Sequence, residues 1–117
     1  MKNYFKDKLI VSIEQAVAAP YCTAKLADAG ARVIKVERKE GDFARYYDNF
    51  VKGESTYFIW LNRGKESLVA NIKNKKDVKL LKNIISKADI FVQNLGPGAL
   101  KKVGLDSTIL RKEFKSL

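Results

Sequence analysis

The sequence predicts an α/β fold with a mainly parallel sheet and flanking helices. Four short apolar, β-branched runs are typical of strands, at residues 8–13, 32–37, 67–72 and 88–93. Helical segments lie between the first two strands and between the last two. The order strand, helix, strand favours right-handed crossovers and parallel pairing, so the layout is Rossmann-like.

The first helix is predicted between the first two strands. Pro20 suits the first helical position, where a proline loses no helical hydrogen bond. Residues 21–29 then carry Cys22 and Leu26 four positions apart on one face. Gly30 ends the helix as its C-terminal cap. Cys22 is therefore expected in the core.

A second helix should begin at Asn74, whose side chain can cap it while Asp77 reaches back from three residues later. Its apolar residues recur at helical spacing. They are Val78, Leu81, Ile84, Ile85 and Ala88.

Two shorter helices are predicted after the last strand. Pro97 can start the first, and Gly104 ends it, with Leu105 as the hydrophobic contact of a Schellman motif. Asp106 or Ser107 then caps an amphipathic helix. That helix carries Leu110 and Phe114.

Two segments are less regular. Residues 57–61 fit either a strand or a buried turn of helix. Residues 38–55 form the longest irregular stretch, and loops of that length are uncommon unless they are functional.

Length and composition limit the possible classes of protein. A sequence of 117 residues with 46% hydrophobic content fits one domain at most. The single cysteine permits no intrachain disulfide, and the N-terminal apolar run is shorter than the apolar region of a signal peptide. We therefore expect a cytoplasmic protein without a membrane span.

The formal net charge of +10 raises the possibility of a nucleic-acid-binding domain. Lysine outnumbers arginine 18 to 5, and the lysines are spread along the whole chain. This distribution is more typical of a solvated surface than of a nucleic-acid-binding stripe, so nucleic acid is an unlikely partner.

The turn after the first strand argues against a dinucleotide site. Such a turn normally reads G-x-G-x-x-G, but residues 17–20 read VAAP, and Pro20 has no amide hydrogen to donate.

Glu37, at the end of the second strand, occupies the usual place of a ribose-binding acid, although a surface charge explains it equally well. Arg38 follows it, where a guanidinium can clamp the phosphate of a phosphorylated adenosine, or simply lie in water.

Three segments in fixed order resemble the class III CoA-transferases, a family that includes formyl-CoA transferase and is also called CaiB/BaiF. They are residues 18–42, NRGKESL from Asn62 and QNLGPGALKKVGL from Gln93. The resemblance covers residues 9–117 but only the N-terminal part of a typical member. It implies that residues 1–117 form a partial N-terminal, CoA-binding part of the family's large domain. It also implies transfer of coenzyme A between an acyl-CoA thioester and a small carboxylic acid.

The resemblance further implies which residues contact coenzyme A. Arg38 falls on the arginine at the adenosine phosphate, and Lys102 falls where the family often has an arginine. The complete implied set is Val17, Ala18, Arg38, Ala70, Asn71, Ile72, Lys73, Asn94, Leu95, Gly96 and Lys102.

Physical chemistry supports two of these placements independently. Residues 94–98 follow a strand and open a helix, so free amides and the helix dipole can meet an anion there. Lys73 follows a strand at the sheet edge where open α/β folds bind ligands. By themselves, Asn94 could equally be a turn residue and Lys73 a solvated lysine.

Other motifs have simpler interpretations. The NRGK turn at residues 62–65 is more typical of a surface turn than of a phosphate contact. An aromatic cluster is expected to pack over the sheet rather than to stack on bases. Its members are Tyr46, Tyr47, Phe50, Tyr57, Phe58 and Trp60.

No catalytic residue is assigned. The family mechanism implies an aspartate that attacks the thioester, and no carboxylate here matches it. Because the sequence contains no histidine, Ser/His, Cys/His and His-containing metal sites are absent, and no metal is expected. The chain by itself is therefore expected to be inactive.

The resemblance also implies an interlocked homodimer for full-length members, and uncovered apolar surface in a chain that ends at residue 117. The sequence leaves two other functions open. One is a stand-alone module that binds CoA or acyl-CoA without catalysis, and the other is a basic nucleic-acid-binding domain.

Overall fold

A parallel sheet of four strands forms the centre of the fold in the computed structural model, which describes residues 3–117. The strands are β1 Leu9–Ile13, β2 Arg32–Glu37, β3 Lys65–Val69 and β4 Ile90–Gln93. The helices are α1 Ala18–Asp28, α2 Thr56–Asn62, α3 Lys75–Ile85 and α4 Ser107–Glu113. Short 3-10 helices span Phe43–Tyr46 and Lys101–Val103. The strand order is β3-β2-β1-β4, and every pairing is parallel.

The predicted fold class is confirmed. β2 has the predicted limits, and β1 and β4 start one and two residues later than predicted. β3 starts at Lys65, earlier than predicted, and ends at Val69. The ambiguous residues 57–61 are helical, because Ser55 caps α2 by accepting a hydrogen bond from the Phe58 amide.

One face of the sheet carries the main apolar core. Val11, Ile13 and Val36 point towards α3 and α4 and are buried against residues such as Leu81 and Leu110. This cluster explains why α3 and α4 form, since short helices gain most of their stability from burying an apolar face.

The opposite face, under α1 and α2, is apolar only near the start of the strands. Ile10 and Val33 contact Leu26 of α1 there. Towards the carboxyl ends, the same face presents Ser12 and Lys35, which are both fully or almost fully buried. A buried polar layer therefore lies directly beneath the loops at this sheet edge.

Several predicted helix ends need correction. α1 begins at Ala18, so Pro20 is its third residue rather than its first. Asn74 caps α3 as predicted, but Asp77 accepts from the Asn71 amide instead of reaching back to Asn74. Cys22 is exposed, so its predicted core position is wrong.

The turn that ends the last 3-10 helix is the predicted Schellman motif. Gly104 is left-handed, with φ of 74°, and the Leu105 amide donates to the Leu100 carbonyl at 2.9 Å. Leu105 is fully buried in the main core, as expected. Asp106 occupies the cap position of α4 without a side-chain capping bond.

No helix among residues 3–117 has the length and apolar character needed to cross a membrane.

Candidate functional site

A cleft of about 570 Å³ opens at the carboxyl ends of β1, β2 and β3. This is the edge of a parallel sheet at which open α/β folds bind ligands. Its walls come from three short segments that follow the strands. They are residues 13–15, residues 36–42 and residues 70–73, with Leu95 completing the lining.

Six of the eleven predicted contact residues line this one cleft. They are Arg38, Ala70, Asn71, Ile72, Lys73 and Leu95. The sheet topology brings them together, because β1, β2 and β3 are adjacent and end at the same edge. Their role in binding stays a prediction.

The other five predicted residues lie outside the cleft lining. Gly96 lines a second depression beside β4, and Lys102 lies in the last 3-10 helix. Val17 and Ala18 lie at the exposed start of α1. The side chain of Asn94 is bonded to Gln15, accepting from its amide at 2.9 Å and donating to its carbonyl at 2.8 Å. Asn94 thus joins the ends of β1 and β4.

The rim of the cleft is basic. Arg38, Lys39 and Lys73 are exposed there, against a single exposed carboxylate among the described lining residues, Glu40. The remaining three acids of the lining are buried. An anionic ligand is therefore favoured over a cationic one.

Arg38 is held in a defined orientation. Its Nε donates to the Gly41 carbonyl at 3.2 Å, and its guanidinium carbon lies 4.5 Å from the centre of the Phe43 ring. Neither terminal nitrogen of Arg38 forms a hydrogen bond within residues 3–117. Two donors in a planar fork remain free for an anion such as a phosphate.

Glu37 is neither an exposed charge nor a free ribose acceptor. Its two oxygens accept two hydrogen bonds from Arg45, one from Ser67 and one from the Asp42 amide. Burial would raise the pKa of Glu37, but these hydrogen bonds lower it to about 2. Four donors fill the carboxylate, so no acceptor position remains for a ribose hydroxyl.

Beneath the cleft lies a buried ionic network, which consists of Glu14, Lys35, Asp42 and Lys65. The Lys35 ammonium lies 2.5 Å from Asp42 Oδ2, and the Lys65 ammonium lies 2.7 Å from Glu14 Oε1. Asn62 Oδ1 accepts from both lysines, at 2.7 and 3.2 Å. Burial lowers the pKa of Lys65, while Glu14 opposes that shift.

Sequence reasoning missed this network. The available signal was Lys35 itself, a charged residue within a strand whose other members are mostly apolar. The NRGK turn is likewise not a simple surface turn, because Lys65 is buried and Arg63 pairs with Asp28 of α1. The motif joins β3 to α1 and β1.

The predicted packing of the aromatic cluster over the sheet is wrong for most of its members. Phe58 contacts the charged heads of Lys35 and Arg45. Tyr57 and Trp60 are about half exposed. Tyr57 forms an edge contact with Tyr47, and Trp60 lies against Tyr21 in a tilted arrangement. These four aromatic residues form an exposed patch on the side of α1 and α2.

No group of three or more potential metal ligands occurs in the part of the chain that the structure describes.

Fold and cleft together define a Rossmann-like α/β structure with a basic cleft at the carboxyl edge of its parallel sheet. The chain belongs to CoA-transferase family III, whose family model matches residues 5–117. The resemblance inferred from the three sequence motifs is thereby confirmed.

Curated relatives are CoA-transferases. The chain is 44% identical over 98 residues to human succinyl-CoA:glutarate CoA-transferase, covering 82% of this chain and 22% of that protein. It is 36% identical over 112 residues to acetyl-CoA:oxalate CoA-transferase of Acetobacter aceti, covering 95% and 29%. The chain thus spans less than a third of the length of these relatives.

The fold of the chain also matches solved structures. A CaiB/BaiF family protein from Brucella suis superposes with a TM-score of 0.88 at 30% identity, covering 96% of this chain and 31% of that chain. A hypothetical protein of Mycobacterium tuberculosis gives a TM-score of 0.88 at 30% identity, covering 97% and 31%.

Proposed function

We propose that this chain holds coenzyme A for an enzyme that transfers CoA between an acyl-CoA thioester and a small carboxylic acid. The observation that carries the proposal is the cleft at the sheet edge, with the free guanidinium fork of Arg38 at its rim. The relatives support the reaction class, since each is named as a CoA-transferase.

Charge and size both support coenzyme A as the ligand. Arg38, Lys39 and Lys73 supply three positive charges around a cleft of about 570 Å³. That volume lies within the range of small-molecule sites. A phosphorylated adenosine is a dianion near neutral pH, and an arginine fork suits it better than a single point charge.

We further propose that none of the three buried carboxylates in the cleft lining is the reacting nucleophile. Glu14, Glu37 and Asp42 are buried and hydrogen-bonded to cations, hydroxyls or amides. Bonds of this kind stabilise the carboxylate and make it a poorer attacking group. In this proposal the chain binds coenzyme A, and the reacting aspartate lies outside residues 3–117.

Calorimetric titration of the purified chain with coenzyme A and with 3′-dephospho-CoA tests the binding proposal. We expect coenzyme A to bind more tightly, and Arg38→Ala to weaken its binding about tenfold or more. Arg32→Ala is the matched control, because Arg32 is exposed at the opposite end of β2 and pairs with Glu66. No heat with coenzyme A, or equal affinity of the Arg38→Ala variant and the parent, would overturn the proposal.

Trapping with hydroxylamine tests the absence of a nucleophile. The chain is incubated with an acyl-CoA and hydroxylamine, then digested and examined by mass spectrometry. We expect no hydroxamate on any carboxylate of residues 3–117. A modified Glu40, which is the exposed acid of the rim, would refute this part of the proposal.

The exposed aromatic patch supports the proposal that the protein associates into a homodimer. Tyr21, Tyr47, Tyr57 and Trp60 expose apolar area in mutual contact, and such patches often mark protein interfaces. Sedimentation velocity of the chain and of Trp60→Lys would test this. An equally monomeric state of both would argue against association through the patch.

A further inference from the structure

One buried carboxylate, Asp42, connects two of the segments that form the cleft. Its Oδ1 accepts from the Ala16 amide at 2.8 Å and from the Ala44 amide at 2.9 Å. Its Oδ2 accepts from the Lys35 ammonium at 2.5 Å. Asp42 is only 3% exposed, so these bonds form away from solvent. The turn after β1 and the loop after β2 are thereby fixed to each other.

The turn after β1 has a conformation that needs such a contact. Ala16 has a φ of +63°, in the left-handed region that residues with a Cβ rarely adopt. It lies between Gln15, which is bonded to Asn94, and Val17, which caps α1. The turn is therefore held at two successive residues, by Asn94, which directly follows β4, and by Asp42 from the loop after β2.

Asp42 is also connected to Arg38 through its own backbone. Its amide donates to Glu37, and it directly follows Gly41, whose carbonyl accepts from the Nε of Arg38. A displacement of Asp42 would therefore move Arg38 relative to the turn at Ala16. Both the turn after β1 and the loop after β2 contribute residues to the cleft lining.

We propose that Asp42 is a positioning residue for the coenzyme site, acting through its hydrogen bond to Ala16; this inference rests on the function proposed above. Asp42 sets the separation between the turn after β1 and the loop that carries Arg38. Lys35 donates to Oδ2 of the buried carboxylate and thereby orients Oδ1 towards the Ala16 amide. The bond to Ala16, rather than the charge, is what shapes the site.

Two double variants separate the hydrogen bond from the charge. In both, Lys35→Met removes the buried ammonium, and Glu14 keeps Lys65 and Thr23 as partners. Asp42→Asn then leaves an oxygen that can accept from Ala16, whereas Asp42→Ala leaves none. Neither variant carries a net buried charge at this pair, so the contrast isolates the oxygen that accepts from the Ala16 and Ala44 amides.

The measurements are coenzyme A affinity by calorimetry, thermal melting and hydrogen exchange of the Ala16 amide. We expect Asp42→Asn/Lys35→Met to bind within about twofold of the parent chain and Asp42→Ala/Lys35→Met to bind about tenfold more weakly. The Ala16 amide should exchange faster only in the second variant.

Equal affinities of the two folded double variants would overturn the positioning role. Loss of the cooperative melting transition in both would also overturn it, because Asp42 would then serve the fold rather than the site. A parent chain that gives no heat with coenzyme A is a different result, since it refutes the proposed function itself. The two failures are thus distinguished by the parent titration.

Discussion

The ammonium nitrogen of Lys65 lies 2.7 Å from Oε1 of Glu14, and both side chains are buried. Lys65 is the first residue of β3, whereas Glu14 directly follows β1, so the pair joins two strands that are separated by β2. The same ammonium donates to the Pro20 carbonyl of α1 at 2.9 Å. The polar face of the sheet is thus held together by an ion pair instead of by apolar packing.

Lys65→Met should lower the free energy of unfolding by about 3 kcal/mol, because removing one member of a buried ion pair leaves the other charge uncompensated. This loss is at the lower end of the range for breaking a buried ion pair. Lys35 lies 3.6 Å from the same Glu14 oxygen and still compensates part of its charge. Urea unfolding of the variant and the parent chain measures the difference.

Two further variants control this prediction. Arg32→Met breaks an exposed pair with Glu66 and should leave the urea midpoint unchanged within error. Adding Glu14→Gln to Lys65→Met removes the unpaired charge and should recover part of the stability. A Lys65→Met chain as stable as the parent would show that Lys35 alone compensates Glu14.

The stability of the protein should depend on Glu37 at acidic pH. The pKa of Glu37 is about 2 in the fold against an ordinary value of 4.5, so the unfolded chain takes up the proton first as the pH falls. The stabilisation, about 2 kcal/mol once solvent screening of the ion pair is allowed for, is complete above about pH 4.5 and is lost as the pH falls towards 2. Urea unfolding across this range should show a steeper loss in the parent chain than in Glu37→Gln.

Ser67→Ala provides the graded control for Glu37. It removes one of the four hydrogen bonds that hold the carboxylate, at 2.6 Å, but leaves Arg45 in place. The acid loss should therefore be smaller than in the parent and end at a higher pH, but remain larger than in Glu37→Gln. If the free energy of unfolding fell equally with pH in all three chains, the acid loss could not be assigned to Glu37.

The fold was predictable because its signals are local. β2 and the Asn74 cap depend on runs of β-branched residues and on one capping side chain. The limits of β3 were harder to predict from the sequence. Its first residue is a lysine, and the burial of that lysine depends on a partner distant in sequence, Glu14. The ambiguous segment at residues 57–61 was decided by Ser55 and Asp48, which bond the first turn of α2.

The candidate site was predictable only in part. Arg38 and Lys73 follow strands, and strand ends of a parallel sheet must meet at one edge. The partners of Glu37 and Asp42 could not be predicted in the same way. Arg45 contacts Glu37, and Ala16 contacts Asp42, only because the loop after β2 folds as it does. Pairings of this kind leave no periodic pattern in a single sequence.

Cys22 should react with a thiol reagent in the native state. It is exposed on α1, and it is the single cysteine of the sequence. One equivalent should therefore react with Ellman's reagent in native buffer at a rate similar to that in denaturant. Cys22→Ser should leave the melting temperature unchanged. A thiol that reacts only after denaturation would instead place Cys22 in the core.

Gly41→Ala should disturb the pair between Arg45 and Glu37. Gly41 has a φ of +82°, and a Cβ there would lie 2.7 Å from Cδ and 3.0 Å from Nε of Arg45. The methyl group would push the guanidinium away from the carboxylate that it binds at 2.8 and 3.0 Å. We expect a loss of about 1–2 kcal/mol from the backbone strain and about 2 kcal/mol more from the weakened pair. Urea unfolding at neutral pH measures the total.

Gly53→Ala separates these two contributions. Gly53 has a nearly equal φ of +86°, but a Cβ there meets no atom within 4 Å. Gly53→Ala should therefore lose only the unfolding free energy that comes from backbone strain, and its acid unfolding should match that of the parent chain. In Gly41→Ala, weaker contact with Arg45 should raise the pKa of Glu37, so that the acid loss is smaller than in the parent chain and ends at a higher pH. Equal stability and equal acid unfolding of the two variants would mean that Arg45 moves aside without releasing Glu37.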